Sequence, residues 1–471
     1  MPLATARVIG RRHQPFRIWN SREHFFTELG LFVLGAAGAY SINLVGSLPG
    51  DEIIILPFLP VLLLTKGRRA FRRDYLWFYI LVGAWLFGTI VGDLYLGSPR
   101  QSSIKGVARV LFFAFDFMAL AILINDKPRR VIIFALSIVA VMLMIMRQFR
   151  GEFLTQWKFG GSSSVTILAL LVSSHFYVRR KYWVCVCIAL AVAGMNLVYA
   201  FRSQIGIDLV SLALILPIFS QTRASSAGRR TSRFRNSLEI IVLLTLAGGA
   251  AYLASEAIKF AAGKGLFEES ISQKFETQAG GKFGVLVGGR PETLVAIQAI
   301  RDSPIIGHGS FAVDPKYLKM KQEIAYEYGY SETDAPEELE VDAIPTHSHL
   351  TMAWVESGIL GGVLWIYLLV LTIRGVLVIP FLRPHFAPLY SYMLVNFVWD
   401  IIYSPFGNVN RIWAAYIVLI CYFLLKTPVA NRRSSSLPRR RLLYGSNRIQ
   451  LAGRVPHLDR HRMLGHGIPN S

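Results

Sequence analysis

The stretch KGRRAFRRDYLWFYILVGAWLFGTIVGDLY, residues 66–95, decides the fold class. Its first part is a basic loop carrying Lys66, Arg68, Arg69, Arg72 and Arg73. From Tyr75 it turns into an apolar run of about 20 residues, the length at which a helix crosses about 30 Å of hydrocarbon. The apolar residues form a block rather than one stripe of a helix, so the run suits lipid better than the core of a soluble domain. The signature recurs along the chain. It predicts spans near 25–46, 52–65, 75–95, 104–125, 131–147, 163–178, 182–200, 203–220, 238–255, 350–373, 386–404 and 411–426.

Composition points the same way. Of 471 residues, 53% are hydrophobic and 17% charged, and the mean hydropathy is +0.43. A soluble domain carries about 45–50% apolar and about 25% charged residues. The expected fold is all-α: a polytopic membrane protein of about twelve transmembrane helices. Its parts are a leader (1–24), spans one to nine (25–255), an outer loop domain (256–349), spans ten to twelve (350–426) and a basic tail (427–471).

The net charge of +21 would suggest nucleic acid in a soluble protein. Here Lys and Arg collect in short loops and the tail, as the positive-inside rule requires, and no basic stretch is interleaved with stacking aromatics. The basic groups are Arg7 to Arg22, Lys66 to Arg73, Lys127 to Arg130, Arg179 to Lys181, Arg223 to Arg235 and the tail. Alternating spans put all of them on one side, read as the cytoplasm together with both termini. The first segment could also be a signal peptide, but its long leader and lack of a clear cleavage site favour a retained anchor. Cys185 and Cys187 point to different faces of one helix, and Cys421 sits in another span, which argues against a disulfide framework or a metal site.

Residues 256–349 interrupt the short loops, and alternation places them outside. They hold 15 of the 29 acidic residues, including Glu337, Glu338, Glu340 and Asp342, which read as a solvated face. Within them, Gly288-Gly289-Arg290-Pro291-Glu292 predicts a helix starting at Pro291 with Leu294, Ile297 and Ile300 covering a surface. Arg290 at that helix start, beside free N–H groups, would suit a phosphate; alone it reads equally as a surface arginine.

Arg202, in Tyr199-Ala-Phe-Arg202-Ser-Gln, lies at the outer junction of the seventh and eighth spans; alone it reads as a snorkelling cation. Pro345-Thr-His347-Ser-His349 precedes Trp354-Val-Glu356-Ser-Gly358-Ile-Leu-Gly361-Gly362. Its histidines either anchor the membrane interface or supply a general base. Glu356 reads as a packing or supporting residue, and the glycines as points of close helix approach. Arg109 and Asp116, seven apart on the fourth span, face one side; Arg109 either pairs with Asp116 or reaches a phosphate. Asp400 and Arg411 bracket the last hairpin, and Asp51-Glu52 mark a membrane boundary. Charges in spans are costly and usually paired or functional.

With these residues the chain resembles the O-antigen ligase and polymerase superfamily of bacterial membrane glycosyltransferases. The matching stretches are Arg202-Ser203, Arg290 opening a helix, Ser303-Pro304-Ile-Ile-Gly307-His-Gly309, and His347 followed by Glu356-Ser-Gly358-Ile-Leu-Gly361. Ser348 stands where Asn is usual, and Leu294 where an aromatic is common. The resemblance implies a GT-C-like inverting transferase that needs neither metal nor cofactor. It implies a donor glycan on undecaprenyl diphosphate and a glycan or lipid A core as acceptor. Arg202 and Arg290 would hold the diphosphate, and His347 would act as base, with His349, Glu356, Arg109, Asp116 and Arg411 in support. Two other readings compete: a secondary transporter or flippase, and a different lipid-sugar transferase using Asp51-Glu52.

Overall fold

The computed structural model describes residues 22–43, 46–147, 153–199, 201–226, 291–327, 343–382 and 384–426, with scattered positions between 245 and 264. The expected ninth span, Arg290, the acidic run and the basic tail therefore lie outside the described residues. Among the described residues the regular structure is helical apart from one small hairpin, β1 (Ser41–Asn43) with β2 (Ser47–Pro49). The helices are α1 (Arg22–Ala37), α2 (Gly50–Lys66), α3 (Leu76–Leu96), α4 (Arg100–Ile124), α5 (Pro128–Met146), α6 (Phe153–Gln156), α7 (Ser162–Val178), α8 (Tyr182–Val198) and α9 (Arg202–Ser226). After them come α10 (Pro291–Asp302), α11 (Pro315–Glu327), α12 (His349–Leu382), α13 (Ala387–Tyr403) and α14 (Asn408–Lys426).

Five of these segments are long and apolar enough to cross a membrane: Arg73–Leu96, Arg100–Ile124, Pro128–Met146, Trp157–Val178 and His349–Leu382. Trp77, Ile80, Phe87 and Leu94 of α3 are exposed, as are Leu56, Phe58, Val61 and Leu64 of α2. In water such a belt would be an aggregation surface; against acyl chains it is the solvated face. α14 is the opposite case, with every residue from Arg411 to Cys421 buried. A helix apolar all round fills the interior of a bundle. Beside it, Phe113 stacks on Trp365 at 5.8 Å and Phe406 lies 4.8 Å from Trp365, joining α4, α12 and the α13–α14 connection.

Local chemistry sets the reversals. Gly97 takes a left-handed conformation (φ 64°) to end α3, and Asn125 and Asp126 do so between α4 and α5, where Pro128 starts the next helix. Asp126 is held by Arg72 and Lys426, and Glu28 of α1 by Arg129. The α1 start, the α2–α3 and α4–α5 connections and the α14 end therefore share one basic end of the bundle, as the spacing of basic loops requires.

The first expected span is corrected: α1 stops at Ala37, and Ser41–Asn43 pairs antiparallel with Ser47–Pro49. Among the described residues, the 291–327 part of the 256–349 segment contains two helices, α10 and α11, where the sequence predicts one. Lys316 and Tyr317 of α11 both bond Asp302 at the end of α10, and Lys321 pairs with Glu292 at 3.2 Å. The Lys316 and Tyr317 bonds hold the Asp302 carboxyl down at about 2. The buried face of α10 is Val295, Ala296 and Ala299, one position off the expected stripe, and Ile297 is exposed. These side chains pack with Tyr317, Ile344 and Val355, seating the segment on the start of α12.

Candidate functional site at the loop-bearing end

α12 is broken near its start. Gly358 has φ 62° and ψ −155°, outside any helix, so the regular i to i−4 hydrogen bonding lapses across it. Polar backbone left open there would be costly inside a membrane protein. The Ser303–Gly309 loop supplies the missing partners. His308 N donates to Val355 O at 2.7 Å, Gly309 N to Glu356 O at 3.1 Å, and Ile359 N to Ile305 O at 3.2 Å. The indole N–H of Trp354 adds a bond to Pro304 O at 2.9 Å. The approach leaves no room for side chains: a Cβ on Gly358 would stand 1.9 Å from Ile305 O, and one on Gly307 2.6 Å from Gly358 N. Gly358 is thus a break point, a correction to its reading as a helix-approach residue. Gly361 keeps that role against Trp85 of α3, whereas Gly362 faces Trp354 of α12 itself.

The loop then locks onto α3 and α4. Asp93 accepts from Ser310 N at 2.6 Å and from Ser310 Oγ at 2.8 Å. Phe311, strained at φ 51°, lies 4.3 Å beneath the Arg109 guanidinium and 5.8 Å from the Lys105 ammonium. Arg109 donates to Glu356 Oε2 at 2.7 Å. Arg109 therefore pairs across 247 residues with Glu356 rather than with Asp116. His308 donates through Nε2 to Ala299 O at 2.8 Å, fixing α10 to the same loop. Asp93 and Phe311 carry this junction but have no role in the sequence reading, where His308 enters only as part of the Ser303–Gly309 stretch. The one available signal was Asp93, an acidic residue within an apolar run.

The two histidines have different environments. His349 is 1% exposed; its Nδ1–H donates to Ser404 O at 2.6 Å, and its ring is enclosed by Trp365 and Phe406 at 4.8 and 5.1 Å. It anchors α12 to α13, and a base reached by an acceptor is not what this position offers. Ser348 accepts from Thr351 N at 3.0 Å, capping α12, and donates to Ile401 O at 2.9 Å. His347, one residue earlier, is exposed. Its two following neighbours, Ser348 and His349, are buried and bonded to α13.

Arg202 opens α9 above a buried polar network. Asn196 Nδ2 donates to Asp208 at 2.8 Å, and Gln204 to Asp208 at 3.3 Å and to Tyr392 Oη at 3.0 Å. Asn196 Oδ1 accepts from Trp157 at 3.0 Å and from Ser162 at 2.7 Å. These bonds fix the α8–α9 junction. Gln204 meets α13 at Tyr392, whereas Ser348 and His349 meet it nine and twelve residues later, at Ile401 and Ser404. By helical rise, those levels are about 14 and 18 Å apart. Gln204, two residues after Arg202, and Ser348 and His349, directly after His347, thus meet one helix, α13, at different depths.

The remaining candidates assemble elsewhere. Arg411 grips Glu52 with Nε and Nη2, the latter at 2.8 Å. Asp51 and Glu52 are 1% and 0% exposed, which corrects their reading as boundary markers, and Asp116 is fully buried beside them. Asp400 accepts from Asn396 and Ser404, both at 2.8 Å. All three cysteines are free thiols, Cys185 buried and Cys187 exposed on the other face. Among the described residues, no group of three or more His, Cys, Asp or Glu side chains is set to hold a metal ion. No family model, curated protein or solved structure matches the chain.

Proposed function

We propose that this membrane protein is an inverting glycosyltransferase of the O-antigen ligase and polymerase kind, moving a glycan from undecaprenyl diphosphate to a sugar hydroxyl. Twelve crossings, with the basic end in the cytoplasm and the loop-bearing end outside a bacterial inner membrane, complete the proposal. The observation that carries it is the exposed His347 imidazole, set just before a capped helix start that Ser348 and His349 fasten to α13.

In the reaction, the acceptor oxygen attacks the anomeric carbon and the bond from that carbon to the diphosphate oxygen breaks. His347 takes the hydroxyl proton. The diphosphate leaves on its lipid with the bonding pair, and Arg202 and Arg290 balance the charge it gains. Arg109 is outside this scheme because Glu356 and Phe311 already engage it.

The test is reconstitution of the purified chain with a lipid-diphosphate glycan and a sugar acceptor. Release of free lipid diphosphate that depends on acceptor, and slows in Arg202→Ala and Arg290→Ala, is the expected result. Substrate uptake into vesicles without transfer would replace the proposal with a transporter. In cells lacking the protein, accumulated single-repeat glycans would assign polymerisation, and accumulated full-length lipid-linked chains ligation.

A further inference from the structure

We propose that Asp51 and Asp116 form a binding site for one small hard cation, a proton or an alkali ion, within the helical bundle. Asp51 is 1% exposed and Asp116 0%; both Asp116 oxygens are buried without a hydrogen-bond donor, and Asp51 is approached by the backbone N–H groups of Asp51 and Glu52 but by no side-chain donor. Glu52 does not share this state, because the Arg411 fork takes both of its oxygens. The ionisable groups facing Asp116 are Asp51 and Glu52 from α2 and Arg411 from α14, and those facing Asp51 are Glu52 and Arg411. Three carboxyl groups thus share one guanidinium. At the α1 end, a Cβ added to Gly38 would stand 3.5 Å from the Asp51 carboxyl.

The depth sharpens the point. Asp116 lies nine residues before the Asn125 turn, about 14 Å along α4, near the middle of a bilayer about 30 Å thick. A carboxylate there with no donor, sharing one guanidinium with two other acids, is costly, and such groups mark ion or proton sites. Oxygen-only donors of excess negative charge select a hard cation. Two carboxyl groups, with Glu52 already committed, suit a monovalent ion rather than a divalent cage. The inference is independent of glycan transfer and uses none of the residues assigned to it.

Binding of ²²Na⁺ to the full-length protein in detergent, with choline as the replacing ion, tests the alkali source. Binding that protons compete away and that Asp116→Asn abolishes assigns an alkali ion. The absence of ²²Na⁺ binding, combined with a protonated-carboxyl infrared band in the wild type that disappears in Asp116→Asn, assigns the proton. Asp51→Asn provides the same comparison if the first variant does not fold. No ²²Na⁺ binding and no such band in the wild type would overturn the proposal without recourse to any variant.

Discussion

Two buried charge clusters sit in this bundle, and they are built on opposite terms. At the loop-bearing end, Arg109 meets Glu356, and Asp93 meets both polar hydrogens of Ser310. Between α2, α4 and α14, one arginine serves three acids, and the Asp51 and Asp116 carboxylates have no side-chain donor. Charge that is met on every side fixes structure, here the docking of a polar segment onto a broken helix. Charge left unmet in a low-dielectric interior waits for a ligand.

Removing one partner from the satisfied cluster should have the largest effect. Arg109→Ala strands Glu356 and unloads Phe311, and should cost about 3–5 kcal/mol. Thermal unfolding in detergent, with proteolysis across residues 303–311 as a local probe, would measure it. A loss well under 1 kcal/mol would mean that the pair does not hold the loop. Gly358→Ala comes next, at about 1–3 kcal/mol, from the strained φ and the collision with Ile305 O. Restoration of full stability by an alanine there would show that α12 runs unbroken. Asp116→Asn draws the contrast. Neutralising an acid that has no partner should leave stability equal or higher, and a loss like that of Arg109→Ala would erase the distinction between the clusters.

The smallest effect belongs to Asp302. Its pKa, about 2 in the fold, lies below the ordinary value of about 3.9. Its contribution is therefore present above the ordinary value and fades as pH falls through about 2. Because the group is largely solvated, only the α10–α11 contact should loosen, seen as faster proteolysis at acid pH that Lys316→Met mimics at neutral pH.

Much of the fold was legible because hydropathy is local. Blocks such as 75–95 needed no partner to be read, and the common end of the basic loops follows from alternation. What was not legible depends on distant residues. Asp51-Glu52 beside an apolar run looks like a boundary, and only Arg411, 359 residues away, shows it to be interior. Arg109 offered Asp116 seven residues along and chose Glu356 instead. Gly358 lies in a glycine pattern that close packing would also produce, and its break becomes visible only with the 303–309 loop in place. The end of α1 was missed because hydropathy does not register a turn made from small residues. The histidine pair was recognised as a unit, but the bonds to Ser404 and Ile401 separate anchor from exposed imidazole.

That separation gives the most direct test. Glycan transfer by purified His347→Ala, from a lipid-diphosphate donor to a sugar hydroxyl, should fall about 10²–10⁴-fold with thermal stability unchanged. Transfer at the wild-type rate by that variant would contradict the account.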